Sequence, residues 1–154
     1  MEYMSQEGYD KLVEELRQLE TVELPRVKNA IAEARDKGDL SENFEYHAAK
    51  REQGKLLSRI RFKQHVLQFA RVLDTTKLNT EVVTLLSKVV LTNLGNNRQM
   101  TYTLVNPHEA DLSGGKISVK SPIGQALLGK KPGDSVVVKV PAGVVKLRIE
   151  SISL

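Results

Sequence analysis

From Ser5 to about Leu73 the apolar residues recur three and four positions apart, with no alternating run and few breakers, which predicts two long helices. Leu12, Leu16 and Leu19 form one stripe of the first helix, and Val27, Ile31 and Ala34 form another. Ser5 is placed to cap this helix and Gly38 to end it. The step from Leu19 to Val27 is eight residues rather than a heptad and contains Pro25, so a kink or short break is expected between Glu20 and Pro25. The second helix starts between Asp39 and Glu42 and carries Leu57, Ile60 and Leu67 as a heptad-like stripe, with Phe62 and Phe69 expected to pack at its root. Between Phe44 and Lys55 its small apolar residues are Ala48 and Ala49, and the first helix offers Ala30, Ala32 and Ala34 opposite. Alanine faces let helices approach closely but bury little area, so this end should be slender. A helix of ~30 residues is about 45 Å long, more than a domain of this size needs for its core. Gly54, inside that helix, suggests a bend or a close contact.

After Leu73 the pattern changes to short apolar runs between turn residues. VVLTNL (89–94) and TYTLVN (101–106) flank one turn, ISV (117–119) comes next, and SVVVKV (135–140) and VVKLRI (144–149) flank another. A short helix between them has Ser121 as cap, Pro122 in its first turn and Gly129 as stop. The class is therefore α+β: an antiparallel helical hairpin over 1–73, a linker over 74–80, and an antiparallel sheet with one short helix over 81–154.

Composition narrows the function classes. The 154 residues include no cysteine, which excludes disulfides, thiolate nucleophiles and cysteine-based zinc sites, and His47, His65 and His108 are too scattered for a zinc cluster. The N-terminus has no basic-then-apolar export signal and nothing spans a membrane, so a cytoplasmic protein is expected. The net charge of +4 is unevenly distributed: residues 1–45 carry 12 acids and 6 bases, whereas residues 46–73 carry 1 acid and 7 bases. A concentrated basic segment suits a polyanionic partner.

Two constellations carry candidate chemistry. KGDLSENFEY (37–46) places Asp39, Glu42 and Glu45 around a glycine turn. In one frame Asp39 and Glu42 form a capping box. In the other Ser41 is the cap, and both carboxylates stay free near the positive end of the helix. Free, they make half a Mg²⁺ site at best, since this ion takes octahedral oxygen ligands, and the remaining ligands would come from the partner the tip enters. Glu45, inside the helix, is the least suited ligand. The second constellation is Arg51, Lys55, Arg59 and Lys63, spaced i, i+4 and flanked by Lys50 and Arg61. Such a row is either a solvated face paired to Glu20, Glu23 or Glu33, or a contact surface for a phosphate backbone.

The run AIAEARDKGDLSENFEYHAAKREQG (30–54) resembles the tip region of the Gre-type bacterial transcript cleavage factors. SQEGYDKLVEEL (5–16) fits their N-terminal pattern, HEADLSGGKISVKSPIGQALLGKKPGDSVVVKVPAG (108–143) looks like their C-terminal domain, and EYHAAK (45–50) is closer to the GreA than the GreB branch. The resemblance implies an antiparallel coiled coil that enters the secondary channel of RNA polymerase and an FKBP-like domain that docks at its rim. It implies that Asp39 and Glu42 help the polymerase hold a Mg²⁺ ion for cleaving the 3′ end of backtracked RNA, the factor being no enzyme alone and having no cofactor of its own. By the same resemblance Lys50, Arg51, Lys55 and Arg59 would contact the nascent RNA 3′ end, and Lys120, Ser121 and Pro122 would dock on the polymerase. Phe44 departs from the family, where a small residue is expected; packing over Leu40 and contact with the polymerase are its two readings. The alternatives are a channel-binding inhibitor of the same architecture, a prolyl isomerase, and a dimerising coiled coil. The isomerase reading lacks an aromatic pocket, since Tyr102 is the only aromatic from residue 74 onward, and thin burial near the tip favours a monomer over the dimer.

Overall fold

A computed structural model describes residues 2–38 and 42–154. The chain divides into two compact units, one of residues 9–70 and one that joins residues 1–8 to 71–154.

The first unit is a helical hairpin. Helix α1 (Gln6–Gln18), whose first residues belong to the other unit, continues through a π-helical turn (Leu19–Glu23) into α2 (Leu24–Asp36), and α3 (Phe44–Phe69) returns. The π-turn accounts for the eight-residue step. Leu24 N–H donates to Leu19 O, five residues back, so one extra residue is absorbed and Val27 regains the seam on which Leu19 lies. The helix therefore runs on where a kink or break was expected. Pro25, the second residue of α2, has no N–H to donate, so the continuous helix lacks one ladder hydrogen bond beside the π-turn.

Leu19, Val27, Ile31, Ala49, Leu56 and Ile60 form the buried cluster of this unit. The α3 stripe thus differs from the expected one: Leu56 and Val66 are buried, while Leu57 and Leu67 are only half-buried. The seam is set by Ala49, Leu56, Ile60 and Lys63, separated by heptad-like steps, and Leu57 lies about 100° round the helix from Leu56. Phe62 and Phe69 do not pack at the root either, being 58% and 48% exposed. The contact expected at Gly54 is absent among the described residues, since nothing lies within 4 Å of where its Cβ would stand.

In the second unit five strands lie in the order β5-β4-β3-β7-β6, formed by Lys116–Ser118, Arg98–Val105, Lys88–Asn93, Gly143–Ser153 and Ser135–Val140. Their alternation places Val89, Leu91, Leu104, Val138, Leu147 and Ile149 on one buried face, with Leu127 of α4 (Pro122–Leu127) in the same core. The pairing is antiparallel except at β5, which runs parallel to β4. The segment between them makes two short 3₁₀ turns, at Pro107–Glu109 and Leu112–Gly114, and so supplies the crossover a parallel pair needs.

The unit boundaries differ from the expected 1–73, 74–80 and 81–154. Strand β1 (Glu2–Met4) pairs with β2 (Ala70–Val72), and Leu73 N–H donates to Met4 O at 2.9 Å. Glu109 accepts from the backbone and hydroxyl of Ser5, whose Oγ also caps α1 by accepting from Gly8 N–H at 2.9 Å. Asp74 caps a 3₁₀ turn at Thr75–Lys77, which makes the expected linker part of the second unit.

Deleting Val22 removes the surplus residue and restores a heptad step, so the hairpin should melt within a few degrees of the parent. Deleting Ser58 from α3, which has no surplus, turns every later seam residue by about 100° and should lower the melting temperature by roughly 10 °C or more. Thermal unfolding followed by helical circular dichroism distinguishes the two.

Candidate functional site

At the hairpin tip α2 ends with Lys37 N–H donating to Ala34 O at 3.2 Å, and Gly38 comes next with φ +152°, a value that suits glycine. Asn43 then caps α3, its Oδ1 accepting from Tyr46 N–H at 3.0 Å and its Nδ2 donating to Ala34 O. One side chain thereby caps one helix and satisfies a terminal carbonyl of the other. The cap is Asn43, which neither of the two expected frames contained. Asp39, Leu40 and Ser41 lie outside the described residues.

This frame decides the role of Glu42. It precedes the cap, so it cannot fill the inner position of a capping box, three residues inside the helix. Its side chain is exposed and forms no ion pair among the described residues. Glu45 pairs with Lys37 at 3.0 Å, and this hydrogen bond raises the Lys37 ammonium above its ordinary pKa. Phe44, the first residue of α3, is 87% exposed. Glu42, Phe44, Glu45, Lys37 and Gly38 border a shallow hollow of about 460 Å³. No group of three or more His, Asp or Glu side chains suited to a metal ion is gathered among the described residues. Glu42 alone offers a hard oxygen donor that suits Mg²⁺ but cannot complete an octahedral shell.

The basic row separates into parts. Arg51 and Lys55 share one face of α3, are exposed, and form no ion pair among the described residues. Lys63 pairs with Glu15 at 2.8 Å, on a seam position, and Arg59 lines a groove with Glu14, Glu15 and Glu23. Lys50 lies about 100° round the helix from Arg51, with its Nζ 3.4 Å from Gln53 Oε1. Glu52, the one acid among residues 46–73, is occupied by Arg26, which also binds Glu23 at 3.1 Å and is held above its usual pKa chiefly by Glu52. Of the two readings of the row, pairing to Glu20, Glu23 or Glu33 is not seen among the described residues; Glu15 takes Lys63 at one end instead.

In the second unit Ser121 Oγ donates to Ser118 O at 2.6 Å and accepts from Gly124 N–H at 3.1 Å, so the hydroxyl is spent on starting α4. Lys120 and Pro122 are exposed beside it. Lys120 Nζ lies 3.6 Å from Glu2, whose pKa is lowered first by the Asn106 hydrogen bond and then by Lys120. Tyr3, Leu85, Val119 and Leu128 join Lys120 around an open depression of about 480 Å³. Sequence patterning did not connect Tyr3, in the short strand β1, with Leu85, because the two come from distant segments.

The chain matches the family model "Transcription elongation factor, N-terminal" over residues 2–72 and "Transcription elongation factor, GreA/GreB, C-term" over residues 78–154. It is 51% identical to Transcription elongation factor GreA of Christiangramia forsetii, covering 96% of this chain and 93% of that protein. It is 46% identical to the protein of the same name from Flavobacterium psychrophilum, with 98% and 96% covered. Among solved structures it is similar to the GreA factor homolog 1 protein of Thermus thermophilus, 27% identical over 99% of both chains with a TM-score of 0.45.

Replacing Asn43 by alanine removes both tip contacts and should destabilise the hairpin by about 1–2 kcal/mol. Denaturant unfolding, with faster amide exchange at Tyr46 and His47 than in the parent, checks this. Asn43→Asp, which keeps the cap acceptor but not the donor to Ala34, should fall between.

Proposed function

Because the chain belongs to the GreA/GreB family of transcription elongation factors, we propose that it acts on bacterial RNA polymerase and stimulates the polymerase's own cleavage of the 3′ end of backtracked RNA. The observation that carries this reading is Glu42: an exposed carboxylate at the end of a helical hairpin, outside the capping hydrogen bonds and without an ion pair among the described residues, while the neighbouring Glu45 is neutralised by Lys37. In this reading the hairpin enters the secondary channel, and Glu42 and Asp39 each supply oxygen ligands to a Mg²⁺ ion whose other ligands belong to the polymerase and the RNA. When bound there, that ion would lower the pKa of a water and stabilise charge on the scissile phosphate.

The remaining roles rest on charge and exposure. Arg51 and Lys55 are the bases best placed to meet RNA phosphates, since no acid among the described residues forms an ion pair with them. Lys50 and Arg59 would assist from the sides, Arg59 at a discount because Glu14, Glu15 and Glu23 share its groove. Lys120 and Pro122 would contact the polymerase, with Ser121 holding their backbone in place. The factor would work as a single copy and would cleave nothing without the polymerase, because one or two carboxylates on an exposed tip form only part of a two-metal centre.

The test is a single-turnover cleavage assay on backtracked elongation complexes. Shortening of the RNA should require Mg²⁺ and the factor together. Glu42→Gln and Asp39→Asn should each slow it by roughly 10²-fold while polymerase binding is retained. A factor that binds but leaves the RNA length unchanged would be an inhibitor of the same architecture, and this reading would be rejected.

A further inference from the structure

We propose that Phe44 is a base-stacking residue, which holds the nucleobase of the extruded RNA nucleotide next to the carboxylate of Glu42. This role rests on the cleavage reading and extends it to the positioning of the substrate.

Three observations support it. Phe44 is 87% exposed, so its ring adds nothing to the packing of the hairpin. Arg51 and Lys55, seven and eleven residues further along α3, lie within about 20° of Phe44 around the helix axis at ~100° per residue, so the ring and the two cations form one stripe. Both cations lack ion pairs among the described residues, which leaves the stripe positively charged and complementary to a phosphate backbone. A row of cations that tracks a backbone, joined to an aromatic face that accepts any base, is the arrangement that binds single-stranded nucleic acid without reading its sequence.

The distance to Glu42 is limited by the chain. Two residues span at most about 7 Å between Cα atoms, so a ring at position 44 reaches the nucleotide whose phosphodiester Glu42 addresses. A stacked base removes rotational freedom from the reacting nucleotide. The occupant is therefore read as an RNA base, since the two cations in line with the ring continue it as a track for the phosphates of the same strand.

The experiment uses the full-length factor and backtracked complexes assembled with an extruded 3′ nucleotide that carries either a purine or no base. On the purine scaffold Phe44→Ala should slow cleavage at limiting factor concentration by about tenfold or more, within the ~5–150-fold range of an aromatic–base stack. Phe44→Trp should retain the parent rate, and Phe44→Leu, which is apolar but not aromatic, should behave as the alanine variant. On the abasic scaffold the parent and Phe44→Ala should cleave at equal rates. Equal rates on the purine scaffold, rescue by leucine, or a deficit that persists without the base would each overturn the stack, the last two in favour of contact with polymerase. Absence of stimulation by the unsubstituted factor on either scaffold would overturn the cleavage role itself and the stack with it.

Discussion

Two antiparallel helices remain in contact over several turns only while their apolar positions keep step, and most of the hairpin depends on this registration. Leu19 and Val27 are eight residues apart, one more than a coiled-coil heptad allows. Left uncorrected, the surplus would rotate Val27, Ile31 and Ala34 away from α3, and the alanine-lined end has no large side chains to compensate. The π-turn at Leu19–Glu23 absorbs the mismatch where it arises. The geometry of the tip is inherited from that adjustment: Ala34 arrives facing the return helix, its carbonyl can be met by Asn43, and the cap places Glu42 outside α3.

The tip also has an order of charges. Glu14, Glu15, Glu23, Glu45 and Glu52 of the hairpin are engaged with bases, whereas Glu42, at its end, has no such partner among the described residues. Exposed pairs of this kind add little stability. Their effect is rather on what remains available among the described residues, the Glu42 carboxylate ahead of α3 and cations along it that include Arg51 and Lys55.

The helical hairpin, the two β-hairpins and the short helix capped by Ser121 were legible because period and turn chemistry are local properties. The heptad phase of α3 was not, since Leu56 and Leu57 are adjacent and equally apolar, and only the facing helix selects between them. The same limit explains Phe62 and Phe69, which look like core residues in a list of apolar positions and stand exposed. The parallel pairing of β5 depends on a non-local register. At the tip the two frames read from the sequence, a capping box of Asp39 with Glu42 and a Ser41 cap, did not include Asn43, whose amide serves both helix ends at once. The basic row was visible as spacing, but its partition into paired and open members required the positions of Glu15 and Glu52.

The return of residues 1–8 to the second unit has a consequence for how this architecture can be altered. The hairpin is an insertion, entered after β1 and left at β2, within a fold that the N-terminal strand helps to complete. A cut at a single site near residue 70 would take β1 away with the helices and strip Glu109 and Asn106 of their partners at Ser5 and Tyr3. Exchange at two sites preserves both. The hairpin is thus a cassette with two joints, free to vary in tip chemistry while the body that carries it keeps its own N-terminus.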